Sequence, residues 1–315
     1  MKAILEAKGT MKAVRIHSFG GPDVLRYEDA PTPQPKENQV LVRVHSAGVN
    51  PVDWKIREGH LGPCEFPCTM GEDFSGVIDS VGPGVEGFKA GDEVFGRVAD
   101  ESGSYAEFAL AATGGITRKP TEIDYAHAAA MPVAALTAWQ ALFDTGHLEA
   151  DQTVLIHAAA GGVGEFAVQF AKWKRAYVIG TASAKSTDFV HSLGADEVID
   201  YNTQRFENVV READLVLDAI GGATQERSFG VLRRGGTLVS IVQPPSEERA
   251  HAAGVRAVFM VSQPRGNELA RIADLVVAGK VKVFVEKTFS LSDARQAQIE
   301  SQSGHAHGKI VLSVA

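Results

Sequence analysis

An apolar segment that runs straight into a glycine-rich turn constrains the fold of this chain more than any other feature. Residues 153–164 read TVLIHAAAGGVG, and aligned with the pattern G-x-G-x-x-G they place Ala159, Gly161 and Gly164 at the three key positions. In a dinucleotide-binding fold, the second glycine lets the backbone approach a pyrophosphate and the third lets the helix pack closely on the strand. The N-terminus of that helix also presents free N–H groups and a partial positive charge to the anion. A tight turn without a ligand is the alternative, but the flanking strand and helix favour a cofactor site. The predicted backbone contacts are Ala160, Gly161, Gly162, Val163 and Gly164.

Strand and helix patterns alternate in the region around this motif. The alternation begins near Ile123 with a helical stretch, Tyr125–Asp144, that Pro132 interrupts. Continuous apolar strands between helices are typical of a parallel sheet covered on both faces. The predicted strands are Thr153–Ala158, Tyr177–Thr181, Glu197–Asp200, Asp214–Ala219, Thr237–Val242 and Arg256–Val261, with helices between them, as at Val163–Lys174 and Thr187–Leu193.

The residues before about 130 show a different pattern, in which short β-branched runs are separated by glycine and proline turns. This pattern indicates a compact, barrel-like antiparallel domain. The end of the chain has a helical pattern over Asn267–Ala278 and short strands at Val281–Val285 and Lys309–Val314. The simplest organisation is a β-rich domain of residues 1–134 and 266–315, into which a βα domain of residues 135–265 is inserted. The predicted strands of the first part are Met11–Ile16, Gln39–His45, Gly76–Val81, Glu93–Val98 and Ser104–Leu110.

The strand after the glycine turn predicts which dinucleotide binds. An NAD site has Asp or Glu about 20 residues beyond the fingerprint, where it holds the ribose 2′-OH. Here residues 180–186 read GTASAKS and contain no acid. Ser183 and Lys185 offer a hydroxyl and a positive charge, which suit a 2′-phosphate, although Lys185 could also be a solvated lysine. We therefore predict NADPH, with Thr181 in the site and Tyr201 either near the adenosine or simply exposed.

The composition excludes several classes of protein. Against 39 Asp and Glu the chain has 31 Lys and Arg, a net charge of −8, so nucleic acid is a poor partner. No apolar run reaches the roughly 20 residues that span a membrane, and the charged N-terminus does not resemble a signal peptide, so we expect a cytoplasmic protein. Met11 opens a second start-like run, which makes residues 1–10 an extension or a poorly ordered tail. Cys64 and Cys68 provide neither a disulfide framework nor the four ligands of a structural zinc site, and we expect ordinary loop thiols.

Short segments spread over nearly the whole chain carry a family resemblance. They are GGPDVL (20–25), VNPVDWK (49–55), GEDFSGV (71–77), GSYAE (103–107), LTA (136–138), AAGGVG (159–164), LGAD (193–196) and GKIV (308–311). Together they resemble the medium-chain dehydrogenase/reductase superfamily, and within it the zinc-free quinone oxidoreductases of the zeta-crystallin type and the alkenal/enone reductases. The resemblance implies an α/β fold, with a doubly wound Rossmann sheet inserted in a β-rich, GroES-like catalytic domain.

The resemblance also bears on zinc. The zinc alcohol dehydrogenases of this superfamily carry a cysteine where Asn50 stands and Gly-His-Glu where Gly71-Glu72-Asp73 stands. They also carry a four-cysteine zinc lobe, for which this chain has too few cysteines. The resemblance therefore implies an enzyme that works without zinc.

The resemblance implies a direct hydride transfer. The implied donor is NADPH in the cleft between the domains, and the implied acceptor is a quinone or the C=C bond of an α,β-unsaturated carbonyl. The negative charge left on the substrate oxygen needs hydrogen-bond donors. By resemblance these are Asn50 and Lys55, and Thr137 lines the nicotinamide pocket; a surface lysine is the alternative reading of Lys55. The Asn-Pro-Val-Asp-x-Lys form is closer to the alkenal reductases than to the quinone reductases. The further cofactor contacts implied are Ala219, Gly221, Ile241, Val242, His307, Gly308 and Lys309.

Two other functions stay open from the sequence. One is an enoyl-thioester reductase of the same superfamily, and the other is a non-catalytic NADPH-binding protein, crystallin-like or redox-sensing; the presence of Asn50, Lys55 and Thr137 favours an enzyme. The strand Arg256–Val261 resembles the edge strand through which relatives form dimers, and an unpaired apolar edge is an aggregation hazard. We therefore expect a homodimer that acts on a small quinone, enone or enal and binds neither nucleic acid nor a membrane.

Overall fold

The computed structural model describes residues 9–61, 64–304 and 307–315 and divides into two units. The β-rich unit comprises the chain up to Val133, Pro264–Val277 and Val283–Ala315; the βα unit comprises Ala134–Gln263 and Ala278–Lys282. The sequence had grouped residues 278–282 with the C-terminal part. They belong with the βα unit because the Gln169 side chain accepts from the Lys282 N–H at 2.7 Å and donates to the Lys282 carbonyl at 2.9 Å. Of the predicted N-terminal extension, residues 1–8 lie outside the described residues.

The β-rich unit is organised around one long strand. Residues 39–49 pair with three other strands, which makes this strand the centre of a seven-stranded sheet. The strands are β1 (Thr10–Ile16), β2 (Arg26–Pro31), β3 (Gln39–Val49), β4 (Cys68–Thr69), β5 (Asp73–Val81), β6 (Glu93–Arg97), β7 (Phe108–Ala112) and β8 (Ile116–Arg118), followed after the βα unit by two more, Val285–Ser290 and Lys309–Ser313.

The pairing in this unit is antiparallel, as predicted, except at its end. The last two strands pair in parallel with one another, and the final one lies antiparallel against β3. A smaller sheet has the order β2-β1-β4. Apolar side chains of both sheets meet in one core, which includes Ile16, Val42, Phe74 and Ile310. Burial of this apolar surface is the main force that holds the unit together.

The βα unit contains the parallel sheet that the alternating pattern predicts. Its strands are β9 (Thr153–Ile156), β10 (Tyr177–Ala182), β11 (Glu197–Asp200), β12 (Ala213–Asp218), β13 (Leu232–Ser240) and β14 (Arg256–Phe259). All pairs are parallel, in the order β11-β10-β9-β12-β13-β14. Numbered within the unit this is 3-2-1-4-5-6, the order of a doubly wound Rossmann sheet. The predicted fold class is confirmed.

The observed helices match the predicted ones where the apolar period runs over many residues, and differ from them where the helix is short. The helical stretch is interrupted at Pro132, as predicted: one helix ends at Ala129 and the next begins at Pro132, because proline is suited to a helix N-terminus and not to its interior. The sequence pattern missed two helices, Pro51–Arg57 and Ala294–Ser303: the first is too short for a clear period, and the second is largely polar. The helices are α1 (Pro51–Arg57), α2 (Tyr125–Ala129), α3 (Pro132–Trp139), α4 (Gly162–Trp173), α5 (Thr187–Ser192), α6 (Phe206–Val209), α7 (Gly222–Ser228), α8 (Glu247–Ala253), α9 (Gly266–Val277) and α10 (Ala294–Ser303), and a π-helical turn at Gln140–Thr145 follows α3.

The cysteine prediction was wrong in one respect. Cys64 and Cys68 form a disulfide, whereas the sequence was interpreted as two ordinary thiols. Their Cα atoms lie 6.0 Å apart, within the usual range for a disulfide. Sequence spacing alone could not show that the turn brings them together.

Among the described residues, no helix has the length and hydropathy needed to cross a bilayer.

Candidate active site

The glycine turn between β9 and α4 has the geometry that its motif predicts. The chain reverses at Ala158, whose φ of 53° lies in the left-handed region. A Cβ on Gly164 would lie 2.2 Å from the Ala158 carbonyl oxygen, so only glycine lets the helix pack this closely on the strand end. A Cβ on Gly161 would meet only that same oxygen, at 3.4 Å. The side of the turn at Gly161 is therefore open, and it lies at the N-terminus of a 12-residue helix, where N–H groups lack intrahelical partners.

The predicted cofactor residues of the βα unit gather at one edge of its sheet. Each group lies at or just after the carboxyl end of a parallel strand. Strand β9 lies at the point where the strand order reverses, which is the usual ligand site of such sheets. The residues are Ala160–Gly164 after β9, Thr181 and Ser183 with Lys185 at β10, Tyr201 after β11, Ala219 and Gly221 after β12, and Ile241 and Val242 after β13.

The residues chosen for a 2′-phosphate lie on two neighbouring strand ends. Lys185 is exposed in a short 3₁₀ turn that follows β10. The Tyr201 N–H donates to the Ala182 carbonyl at 3.2 Å, which joins the ends of β10 and β11, and the Tyr201 side chain is 60% exposed. Ser183 lies beside Ser186, with their hydroxyl oxygens 3.1 Å apart. An exposed ammonium, a hydroxyl and an aromatic ring on one edge can bind an anionic adenosine phosphate.

Asp218, which the sequence analysis did not single out, holds two of these loops in place. Its Oδ1 accepts from the N–H groups of Ile220 and Gly221 at 3.0 and 2.8 Å. Its Oδ2 accepts from Gln225 Nε2 and Ser240 Oγ, both at 2.9 Å. This buried carboxylate therefore joins the loop after β12 to the end of β13. An acid at the end of an otherwise apolar strand was the available signal, because a buried charge needs partners.

In the β-rich unit, Asn50 and Lys55 lie at the start of α1. Asn50 is the N-cap residue, and its N–H donates to the Asp53 carboxylate at 2.7 Å, while Pro51 occupies the first helical position. Asn50 is buried, whereas Lys55 is half-buried, with its Nζ 5.6 Å from the centre of the Trp54 ring. The two donors that the resemblance assigned to the substrate oxygen therefore lie at the N-terminus and in the body of the same short helix.

The Asn50 carboxamide is held on both sides by charged residues. Its Oδ1 accepts from Lys309 Nζ, which also donates to the Val49 carbonyl at 3.3 Å. Its Nδ2 donates to Asp73 Oδ2 at 2.8 Å, and Asp73 Oδ1 accepts from the Val133 N–H at 2.9 Å. Burial raises the pKa of Asp73 to about 6, an effect that the Lys309 ammonium and the Asn50 amide oppose.

Strand register places these residues side by side. Ile310 pairs with Val49 across the antiparallel ladder, so Lys309 comes opposite Asn50. Asp73 pairs with Gly48, and a Cβ on Gly48 would lie 2.4 Å from the Ala129 carbonyl oxygen and 2.9 Å from Asp73 Cβ. Glycine at position 48 is what lets the Asp73 carboxylate come close to Asn50. The sequence analysis gave Lys309 to the cofactor; the structure places its Nζ on Asn50.

A second buried acid lies behind Asn50. Asp53 Oδ2 accepts from the Tyr105 hydroxyl at 2.8 Å, and its Oδ1 has no hydrogen-bond partner among the described residues. Burial raises the pKa of Asp53 to about 8, against the hydrogen bonds from Asn50 and Tyr105, which lower it. Burial and the nearby Asp53 also raise the pKa of Tyr105. The raised pKa means that Asp53 takes up a proton far more readily in the folded protein than in the unfolded chain.

The residues at the superfamily's zinc positions do not suit that metal. Zinc favours cysteine sulfur and histidine nitrogen. Here Asn50 Oδ1 faces an ammonium that would repel a cation, and the Glu72 carboxylate is bonded to Arg97. In the part of the chain that the structure describes, no group of three His, Cys, Asp or Glu residues could hold a metal ion. Independence of zinc stays a prediction that a chelator tests.

The other predicted site residues are divided between the units. Thr137 lies in α3, in the βα unit, and its Oγ1 donates to Ser262 Oγ at 2.9 Å. His307, Gly308 and Lys309 lie in the β-rich unit at the start of β16 (Lys309–Ser313), which pairs in parallel with β15 (Val285–Ser290). Their assignment to the cofactor stays a prediction.

Two protein families match segments of this sequence. Residues 36–130 match the alcohol dehydrogenase GroES-like domain, and residues 193–312 match a family described as zinc-binding dehydrogenase. The first match lies in the β-rich unit, and the second begins in the βα unit and continues into the C-terminal part of the β-rich unit.

Curated proteins and solved structures are similar to nearly the whole chain. The chloroplast envelope quinone oxidoreductase homolog of Arabidopsis thaliana is 36% identical, over 96% of this chain and 98% of its own. The NADPH-dependent alkenal/one oxidoreductase of the Arabidopsis thaliana chloroplast is 35% identical, over 96% and 79%. The structure of Escherichia coli quinone oxidoreductase complexed with NADPH has a TM-score of 0.90 and 29% identity, and the match covers 96% of this chain and 100% of that one.

Proposed function

The chain belongs to the quinone oxidoreductase branch of the medium-chain dehydrogenase/reductase superfamily and is an NAD(P)H oxidoreductase, and we propose that it transfers a hydride from NADPH to conjugated carbonyl compounds, either quinones or the C=C bond of enones and enals, without zinc. The observation that carries the proposal is the carboxyl edge of the parallel sheet. There an open glycine turn at a helix N-terminus lies one strand away from an exposed lysine, and the strand end that would carry an NAD-specific acid reads Thr-Ala-Ser-Ala-Lys.

The preference for NADPH is supported by charge. Lys185 and Ser183 can bind a 2′-phosphate through an ion pair and a hydrogen bond, whereas the 2′-hydroxyl of NADH would find no carboxylate between residues 180 and 186. The named relatives are consistent with this choice, since one is called NADPH-dependent and another was solved with NADPH.

When bound, NADPH supplies a hydride from C4 of its nicotinamide. The residues of the β-rich unit have the chemistry to stabilise what is left on the substrate. Asn50 has a second Nδ2–H that no described residue accepts, so it can donate to an oxygen that gains negative charge. The Lys55 ammonium can donate the proton that completes the reduction and recover it from water. Thr137, whose hydroxyl is fixed by Ser262, is proposed as a wall of the nicotinamide pocket.

Steady-state oxidation of NADPH and NADH, with one ortho-quinone and one 2-alkenal after a chelator wash, tests the proposal. We expect turnover with NADPH and at least one substrate, unaffected by the chelator. Turnover with the alkenal identifies an alkene reductase, and turnover with the quinone alone identifies a quinone reductase. Loss of activity in the chelator would contradict the zinc-free mechanism. NADPH binding without turnover of either substrate would favour a thioester substrate or the non-catalytic reading.

The cofactor assignment has its own variant. We expect Lys185→Glu to weaken NADPH binding far more than NADH binding, because the new carboxylate repels a 2′-phosphate and can accept from a 2′-hydroxyl. Lys174→Glu is the matched control, since it reverses a charge at the other end of α4, where Lys174 pairs with Glu149. Equal loss of both cofactors in Lys185→Glu, measured by fluorescence titration, would contradict the 2′-phosphate assignment.

The catalytic assignment is tested by Asn50→Ala and Lys55→Ala. We expect both variants to turn over more slowly and to keep their affinity for NADPH, because neither residue belongs to the βα unit that holds the predicted diphosphate site. Unchanged turnover in both would mean that other groups stabilise the substrate oxygen.

A cytoplasmic location and a homodimer through the β14 edge are also proposed.

A further inference from the structure

We infer that Lys309 is a positioning residue for the proposed reaction: its buried ammonium fixes the Asn50 carboxamide so that one Nδ2–H is presented to the substrate oxygen. The inference rests on the proposed function and concerns the same site. It differs from the cofactor contact that the motif GKIV implies, because the observed partner of Lys309 Nζ is a side chain of the β-rich unit.

The two charged neighbours allow the carboxamide only one orientation. A lysine ammonium can only donate, so it must face Oδ1, and an ionised carboxylate can only accept, so it must face Nδ2. Lys309 and Asp73 occupy those two sides. Rotation of the amide by half a turn would put its N–H groups against the ammonium and its oxygen against the carboxylate. The remaining Nδ2–H therefore points in a direction that the two neighbours set together.

Burial makes this arrangement strong. Lys309 is 3% exposed, Asn50 2% and Asp73 0%. Hydrogen bonds and charges act more strongly in such surroundings than in water, and an unmatched charge there is correspondingly costly. The Lys309 ammonium lowers the cost of keeping Asp73 ionised beside Asn50, which preserves Asp73 as an acceptor. A donor held in advance at the place where negative charge develops is more effective than one that must rotate into position.

The position of the ammonium also explains how this site differs from a metal centre. The superfamily's zinc enzymes carry a cysteine at position 50, and here the corresponding side chain is an amide bonded to a lysine. The positive charge at this site is therefore the Lys309 ammonium, a fixed hydrogen-bond donor that Asn50 separates from the reacting atoms. Lys309 does not touch the substrate in this scheme; it acts through Asn50.

The test compares Lys309→Met, Lys309→Gln and the control Lys287→Met in the full-length protein. Lys287 lies on the neighbouring strand β15 and pairs with Glu300 on the surface, so its loss removes a lysine without touching Asn50. We expect Lys309→Met to lower kcat by about 10- to 100-fold, as the loss of an orienting group does, with the Kd for NADPH within about twofold of wild type. Lys309→Gln keeps a donor for Asn50 Oδ1 and should recover part of kcat.

Two further measurements separate positioning from a general structural effect. In an Asn50→Ala background, Lys309→Met should lower kcat no further, because its route to the substrate is gone. By NMR with ¹⁵N-labelled asparagine, the Asn50 side-chain NH₂ pair, assigned by its loss in Asn50→Ala, should shift in Lys309→Met and stay in Lys287→Met. This signal reports the amide whether or not the wild-type protein turns over either substrate, so a failure of the proposed function is seen separately.

Three results would overturn the inference. A rise of tenfold or more in the NADPH Kd of Lys309→Met, with kcat kept at saturating NADPH, would make Lys309 a cofactor contact. An equal fall in kcat with and without Asn50 would show that Lys309 does not act through it. An unshifted Asn50 NH₂ pair in a folded Lys309→Met would show that the ammonium does not orient the amide.

Discussion

The glycine turn makes a prediction in which two neighbouring glycines behave in opposite ways. In Gly164→Ala the new Cβ would lie 2.2 Å from the Ala158 carbonyl oxygen and 2.7 Å from two backbone atoms of Ala159. These are backbone atoms that cannot rotate away, so the helix must move. In Gly161→Ala the Cβ meets one atom at 3.4 Å and otherwise open space, at a φ of −80° that alanine adopts readily.

The expected magnitudes follow from these contacts. Overpacking of this kind costs up to about 3 kcal/mol, from which alanine's better helix propensity recovers about 1 kcal/mol. We therefore expect Gly164→Ala to lose about 2 kcal/mol, which for a chain of this length corresponds to a fall in Tm of roughly 3 °C. For Gly161→Ala, the entropy lost by the unfolded chain and the poorer N-cap roughly cancel, leaving stability within about 0.5 kcal/mol of wild type. If the pyrophosphate binds at this turn as proposed, the new Cβ takes the space of one of its oxygens, so the NADPH Kd should rise by at least about tenfold, or about 1.4 kcal/mol.

Thermal unfolding without cofactor and fluorescence titration with NADPH measure the two effects separately. Gly161→Ala should lose binding with an unchanged Tm, and Gly164→Ala should lose Tm. If Gly161→Ala binds NADPH as wild type does, the pyrophosphate does not approach this turn and the cofactor site is wrongly placed. If Gly164→Ala unfolds at the wild-type Tm, the close packing of α4 on the strand end is not what requires glycine.

The remaining predictions concern stability against pH, and assembly. The pKa of Asp53 is raised from 3.8 to about 8 in the folded protein. Between about pH 4 and pH 8 the unfolded chain therefore releases a proton that the folded protein keeps. The free energy of unfolding of the wild type consequently falls as pH rises, by up to about 1.4 kcal/mol per pH unit. Asp53→Asn has no such proton, and its side-chain oxygen can still accept from Asn50 and Tyr105. Urea unfolding should therefore show that the stability of the variant relative to wild type increases from pH 5 to pH 7. An equal pH dependence of the two free energies of unfolding would contradict the raised pKa. For assembly, β14 ends the strand order of its sheet, and Phe259 and Val261 are 40% and 67% exposed. We expect Phe259→Lys with Val261→Lys to halve the mass measured by light scattering and Val277→Lys, on the helix α9, to leave it unchanged; a wild-type mass of one chain would refute the dimer.

Much of the fold was predictable because it depends on local patterns. The strands from Thr153 to Phe259 alternate with helices, and the two central strands β9 and β12 are largely apolar and buried. Alternation of this kind leaves few topologies open, since crossovers between parallel strands are right-handed and neighbouring elements pack together. The glycine motif then indicated which strand lies at the switch point, and hence which edge of the sheet carries the predicted cofactor residues.

The chemistry of the β-rich unit was less predictable because its partners are far apart in sequence. Asn50, Asp73 and Lys309 meet only after β3 has paired with β5 and with β16, a strand that follows the whole βα unit. The segment patterns pointed to each residue, but not to the hydrogen bonds among them. The same holds for Cys64 and Cys68, whose disulfide depends on the path of a turn, and for α1, whose seven residues gave no period to read.

The sequence by itself determined the class of fold, the predicted cofactor edge and the absence of an acid where an NAD site would need one, because these follow from periodicity, glycine placement and residue type within short windows. Only the tertiary structure decided the surroundings of the candidate groups: which side of the Asn50 amide faces a cation, that burial raises the pKa of Asp53, and that Asp218 joins two loops. The reason is physical. Orientation and protonation are set by burial and by neighbours that chain topology brings from distant positions, and neither is encoded in any one segment.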